Sequence, residues 1–323
     1  MGDERECRAR PDSGATGAVR RYRLSAALAA LIVVALAIGL LPGAAWAGPV
    51  TGSTPLASSP PGVETEKGIV YREVDGDELR LDAWLPAGGA APTAAMVIVH
   101  GGGWTAGRRD APQWRSLGDD LAAAGYAAFS VDYRLAPDDR FPAAFEDVQA
   151  AVAWLRERAQ VDRFGIDPDR IGILWGSAGG QLAGLVGTAG DGDLTVGSQV
   201  RAVVSLSGPM VLAGDAIGPV AAPQIESALF YLGCDTIDDC PAAELASPIA
   251  AVDGSDPPFL LVQSTDDHLV PVEQAGAMGD ALDAAGVPTE VTIVPSSAHA
   301  THLLDDPAIM ADVLAFLDEY LAG

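Results

Sequence analysis

Basic side chains are scarce in this chain, whose 323 residues carry 19 Lys plus Arg against 44 Asp plus Glu. So acidic a surface repels polyanions, which excludes nucleic acid and an anionic membrane surface as partners. Cysteine is scarcer still, with three in all. Cys7 lies before the long apolar run rather than just after it, which excludes a lipoprotein anchor. Cys234 and Cys240 stand close together in Gly-Cys-Asp-Thr-Ile-Asp-Asp-Cys-Pro with no histidine nearby. That spacing makes a metal site the poorer reading and a local disulfide the expected one, given an exported chain. Histidine numbers four, so each one that falls in a loop after a strand is informative. Internal repeats are missing too, which excludes a solenoid or propeller.

What is present begins with a leader. Arg20, Arg21 and Arg23 precede an uncharged run from Leu24 to Leu41, followed by Pro42-Gly43 and Ala45-Trp46-Ala47. A basic segment, an apolar segment and a small-residue cleavage site in that order predict a secretory signal over residues 1–47, the alternative being an uncleaved membrane anchor. Without it the chain holds 13 basic and 40 acidic residues, a net charge of -27. Residues 48–66, rich in Pro, Ser, Gly and Thr, read as a flexible linker. Residues 67–323 form the folded domain, and 49% apolar content suffices for a large core.

Within that domain the apolar runs Gly68 to Val74 and Glu78 to Leu85 predict a hairpin. Strands are then expected at Ala94 to His100, Tyr126 to Tyr133, Arg170 to Trp175, Val200 to Leu206, Pro258 to Gln263 and Thr289 to Val294. Helical spacing covers about Pro112 to Ala124, Ala143 to Ala159, Val272 to Ala285 and Pro307 to Leu321. Such alternation predicts an α/β fold whose mainly parallel sheet is covered on both faces. Only Met210 to Ser247 interrupts it, as a surface crossover or as a cover over the mouth of a site.

The chemistry gathers after the strands. Gly176-Ser177-Ala178-Gly179-Gly180 follows one directly, and is either a flexible turn or a nucleophile elbow that lifts the serine hydroxyl clear of the sheet. In the elbow reading the Ala178 amide faces the same space. A second strand runs into His100-Gly101-Gly102-Gly103-Trp104, where glycines let the Gly102 and Gly103 amides face a developing oxyanion. A third is followed by Asp266-Asp267-His268, and either acid is placed to orient a histidine. The last is followed by His299 and His302, either of which is positioned as the base. Serine, acid and histidine in that order, each after a strand and joined by a glycine loop, favour the elbow. Arg134 and Asp147 are expected to form an internal ion pair without a catalytic role.

These residues resemble the α/β-hydrolase superfamily, and within it the carboxylesterases related to hormone-sensitive lipase and to small feruloyl and xylan esterases. His100 to Trp104 looks like that family's oxyanion motif, Tyr133 to Pro137 is similar to its Tyr-Arg-Leu-Ala-Pro segment, and Ser177 to Gly180 matches the end of its elbow. The resemblance, over roughly residues 67–321, implies Ser177 as nucleophile, Asp267 as acid and His299 as base, with neither metal nor organic cofactor. It implies a secreted serine esterase acting on a small-molecule ester, and a site more open than in relatives with an N-terminal helical cap. Amide cleavage, as a formamidase or peptidase, is the second reading, and a binding protein without turnover is the third. From position, Trp104, Phe230 and Tyr231 are expected to line the pocket. One departure stands out: the family carries glycine two places before the serine, and this chain carries Trp175.

Overall fold

The computed structural model describes residues 21–24, 62–88, 92–190, 192–213 and 222–322. The expected leader therefore lies outside the described residues except for Arg21–Leu24 (β1), whose backbone pairs in parallel with the far edge of the sheet. Residues 48–61 of the expected linker lie outside them too, while 63–66 belong to a strand. Val63–Val74 (β2) pairs with Asp77–Pro86 (β3) from Val63↔Pro86 onward. The correction has a simple cause: β3 supplies the hydrogen-bonding partner, and a half-exposed ladder needs no apolar run to mark it.

Six further strands follow: Thr93–Val99 (β4), Ala127–Val131 (β5), Ile166–Gly176 (β6), Ala202–Leu206 (β7), Phe259–Ser264 (β8) and Thr289–Val294 (β9). The sheet order is β1-β9-β8-β7-β6-β4-β5-β3-β2, parallel except where β3 meets β2 and β5. Helices cover both faces. Pro112–Ala123 (α1) and Pro307–Leu321 (α8) pack on one. Ala143–Leu155 (α2), Arg158–Phe164 (α3), Ala178–Thr188 (α4) and Val272–Ala285 (α7) pack on the other. Along β4, Val97 and Val99 face the α4 side while Met96 and Ile98 face the α1 side, all fully buried. A strand buried on both faces must be apolar throughout, which is why its run reads so plainly.

The expected helix from Ala143 to Ala159 is two helices. The break falls at Glu157, whose backbone is extended at φ -61° and ψ 139°, while the neighbouring Arg156 donates from its guanidinium to the carbonyls of Pro168, Leu194 and Gly197. Two shorter helices, Ala222–Leu232 (α5) and Pro241–Leu245 (α6), occupy the interrupting segment.

The sheet order positions the site. From β4 the chain moves to β5 on one side, then crosses back to β6 on the other and continues outward through β7, β8 and β9. At such a reversal the loops after neighbouring strands part and leave a crevice at the strands' carboxyl ends.

Candidate active site

Ser177 sits at that crevice between β6 and α4, with φ 55° and ψ -133°. A non-glycine residue at positive φ is strained, and such strain persists only where the surroundings enforce it. Here they do: the Ser177 N–H donates to Leu206 O at 3.0 Å and its carbonyl accepts from Gln181 N at 3.1 Å. The turn is also too tight for side chains on either flank. A Cβ on Gly176 would come within 2.5 Å of Leu206 O, and one on Gly179 within 1.9 Å of Val99 O.

Trp175 is accommodated without distorting this bend. Its indole lies on the α1 side of the sheet, whereas α4 packs on the other side. The tight approach of helix and strands is met by Gly179 and Gly180 of α4, where a Cβ would come within 1.9 Å of Val99 O and 2.6 Å of Ser205 Oγ.

Beside the serine runs the loop after β4. A Cβ on Gly101 would stand 3.4 Å from Ser177 Cβ, so the glycine loop and the elbow are in contact. The Gly102 carbonyl accepts from Thr105 N and Ala106 N, which curls the loop back on itself. Among the described residues no hydrogen bond engages the N–H of Gly102, Gly103 or Ala178. Ala178 opens α4, where the first amides of a helix have no partner within it. All three residues border the cavity that holds Ser177.

The loop is held from behind by His100 and Tyr133. Their rings stack at 4.1 Å, Tyr133 Oη donates to His100 O at 2.8 Å, and His100 Nδ1 lies 3.0 Å from Gly101 O. A carbonyl only accepts, so His100 Nδ1 carries the proton. Burial pushes the His100 pKa down to about 4, against the opposing pull of the Gly101 carbonyl and Asp132, so the ring is neutral at neutral pH. The expected ion pair is present: Arg134 Nε donates to Asp147 Oδ2 at 2.8 Å and Arg72 joins the same carboxylate.

The other side of the crevice comes from β8 and β9. His299 Nδ1 stands 2.8 Å from Asp267 Oδ2. The Asp267 side chain is fully buried, and that of His299 is 19% exposed. Asp267 also accepts from Leu269 N, Val270 N and Gln263 Nε2. Burial alone would raise its pKa, but the hydrogen bond and charge of His299 and the two amides outweigh it, leaving the carboxyl below its ordinary value. The competing residues separate clearly. Asp266 is exposed and accepts from Thr265 Oγ1. His268 is exposed as well. His302 pairs with Asp305 at the surface.

Ser177 and His299 border one cavity of about 1120 Å³, and Asp267 stands behind His299. The interrupting segment does cover it: α5 contributes Gln224, Ser227, Ala228 and Leu229, and the loop closed by the Cys234–Cys240 disulfide contributes Asp235 to Asp238. Trp104 borders the cavity, its Nε1 donating to Gln181 Oε1 at 2.8 Å. Two expected lining residues do not. Tyr231 is fully buried behind Trp104, the rings stacked at 4.8 Å, and Phe230 is 46% exposed and turned to solvent. The physical reason is rotation about α5, where residues three or four apart share a face and immediate neighbours do not. Sequence reasoning missed Trp114 of α1, which also borders the cavity and carried no motif to mark it. Among the described residues no cluster of three or more His, Cys, Asp or Glu is placed to hold a metal ion.

Comparison with known proteins bears on this arrangement. The BD-FAE family model matches residues 81–282. Esterase LipC of Mycobacterium tuberculosis is 36% identical over 238 residues, 70% of this chain and 57% of its own length. The probable carboxylic ester hydrolase LipM of the same organism is 30% identical over 267 residues, 79% of this chain and 60% of its own. The chain thus spans little more than half the length of these curated relatives. Among solved structures, a truncated carbohydrate esterase from gut microbiota matches with TM-score 0.67 and 25% identity, over 80% of this chain and 97% of that one. Esterase Est2 of Thermogutta terrifontis matches with TM-score 0.64 and 27% identity, over 81% and 94%.

Proposed function

The chain belongs to the BD-FAE family, and from that premise we propose that it is an exported serine carboxylesterase that cleaves small carboxylic esters through an acyl-enzyme. The observation that carries the reading is His299, oriented by a buried Asp267 and bordering the cavity in which Ser177 sits on a strained turn. Relatives named as esterases and carboxylic ester hydrolases support the same reaction class.

In the mechanism His299 Nε2 takes the proton of the Ser177 hydroxyl as its oxygen attacks the ester carbonyl. Asp267, accepting from Nδ1–H, fixes the tautomer that leaves Nε2 free and stabilises the imidazolium that forms. The amides of Gly102, Gly103 and Ala178 receive the negative charge of the tetrahedral oxygen. His299 then returns the proton to the leaving alcohol, and water, activated by the same imidazole, releases the acid. Export is read from the leader over residues 1–47. Every residue named in this mechanism lies in the domain beyond it.

Hydrolysis of p-nitrophenyl acetate and butyrate tests the reading. Ser177→Ala is expected to lower kcat by about 10⁴-fold or more, and equal rates in the two proteins would overturn it. Matched anilide substrates in the same assay separate ester from amide cleavage. Binding without turnover would follow if Trp175 distorted the elbow, and the position of its indole on the face away from α4 weighs against that.

A further inference from the structure

Two tryptophans outside the catalytic trio border the cavity. Trp175, at the end of β6, meets Trp114 of α1 edge to face, the ring centroids 4.6 Å apart and the planes at 88°. Both border the cavity beside Ser177, yet they are only 1% and 5% exposed, so each shows it little more than an edge. Neither indole N–H has a hydrogen-bond partner among the described residues. A buried donor left unpaired is a cost that a smaller apolar side chain would avoid. What the two rings supply in return is bulk at one place, next to the nucleophile.

We propose that the Trp114–Trp175 pair is the size stop of the substrate cavity, limiting the ester group on the α1 side of the scissile carbonyl to a compact apolar one. The inference rests on the esterase reading and adds to it the feature that selects the ester. A close-packed pair of flat rings does not yield to a longer chain as a flexible side chain would, because interiors resist overpacking. Ala111 and Gln113, near Trp114 in the chain, border the cavity as well. The remainder of the cavity, toward α5 and the disulfide loop, is free to hold the other half of the ester. No side chain is hydrogen-bonded to either indole nitrogen, so truncating a ring at that atom orphans no partner.

The test uses the full chain and two substrate series. One varies the acyl group, as p-nitrophenyl esters from acetate to decanoate, and the other varies the alcohol, as acetate esters of increasing bulk. In Trp175→Ala and Trp114→Ala, kcat/KM for the longer members relative to the shortest is expected to rise at least about tenfold in one series. The milder Trp175→Phe and Trp114→Phe are expected to shift the same ratio less, and they carry the test should an alanine variant fail to fold. Folded variants that still label with a fluorophosphonate but keep the wild-type ratio in both series overturn the inference. A wild type inert toward every ester overturns the esterase reading instead, and the size stop with it.

Discussion

His100 does not border the cavity, yet its protonation is tied to the stability of the loop that does. Its folded pKa is near 4 because burial penalises the charged ring, whereas an unfolded histidine titrates near its ordinary value. The sign follows directly. Between pH about 6.5 and 4 the unfolded chain binds a proton that the folded chain refuses, so folding stability falls as pH falls through that window. The loss from this one group approaches about 3 kcal/mol at the lower end. Urea unfolding at pH 7 and at pH 4.5 checks it. His100→Asn is expected to be less stable than the wild type at pH 7 and to lose distinctly less between the two pH values. Parallel losses would show that His100 titrates as an exposed histidine does. At this scale the sequence spoke unevenly. His299 and Ser177 were legible as loop residues after strands, whereas position alone left Asp266 and Asp267 open and the family resemblance chose Asp267; the fold adds the reason, because neighbouring residues point in different directions and only Asp267 meets the imidazole.

The segment from Tyr133 to Pro142 is tied to α2 through Arg134, which reaches Ala143 O, Glu146 and, above all, the Asp147 carboxylate. Asp147, fully buried, accepts from the Arg134 backbone N–H at 2.9 Å and from its guanidinium, and Arg72 of β2 reaches the same group. A buried charge that loses its partner is costly even where the intact pair adds little to stability. Asp147→Ala leaves two guanidinium groups facing the gap and is expected to cost about 3–5 kcal/mol. That corresponds to a fall in Tm of roughly 10 °C for a domain of this size, measurable by calorimetry. A fall of only a degree or two would mean that water replaces the carboxylate without strain. The expectation of an Arg134–Asp147 pair came from the sequence. Arg72 as a third member did not, because its contact depends on how β2 lies over α2. The position of α5 tells the same story: its apolar residues were visible, but its rotation, which turns Phe230 outward and places Tyr231 behind Trp104, was set by packing.

At the scale of the whole molecule, every group of the proposed mechanism lies within residues 62–322. Every strand that carries one, β4, β6, β8 and β9, is paired on both sides, β9 by β8 and β1. Arg21–Leu24 is the only described part of residues 1–47 that touches this sheet, by backbone pairing at its edge. A chain beginning at residue 48 is therefore expected to fold and to keep kcat/KM within about twofold of the full chain, since only edge pairing is lost. Steady-state rates on p-nitrophenyl acetate and far-ultraviolet circular dichroism check both halves. A truncated chain that is unfolded would assign the edge strand a structural duty that export would remove. The truncated chain keeps the charge of -27 carried by residues 48–323, which is expected to repel polyanions at neutral pH.

The sequence by itself determined the alternation of buried strands and amphipathic helices, and with it the sheet, because a strand covered on both faces has to be apolar and a helix covered on one face has to be periodic. It also placed serine, acid, histidine and the glycine loop each at the end of a strand. Only the tertiary structure decided which acid faces which histidine and which face of α5 borders the cavity. It alone showed that the Trp175 indole lies on the face away from α4, where it meets Trp114. Such outcomes depend on directions in space between segments far apart in the chain, and side-chain type in one segment does not encode where another will lie.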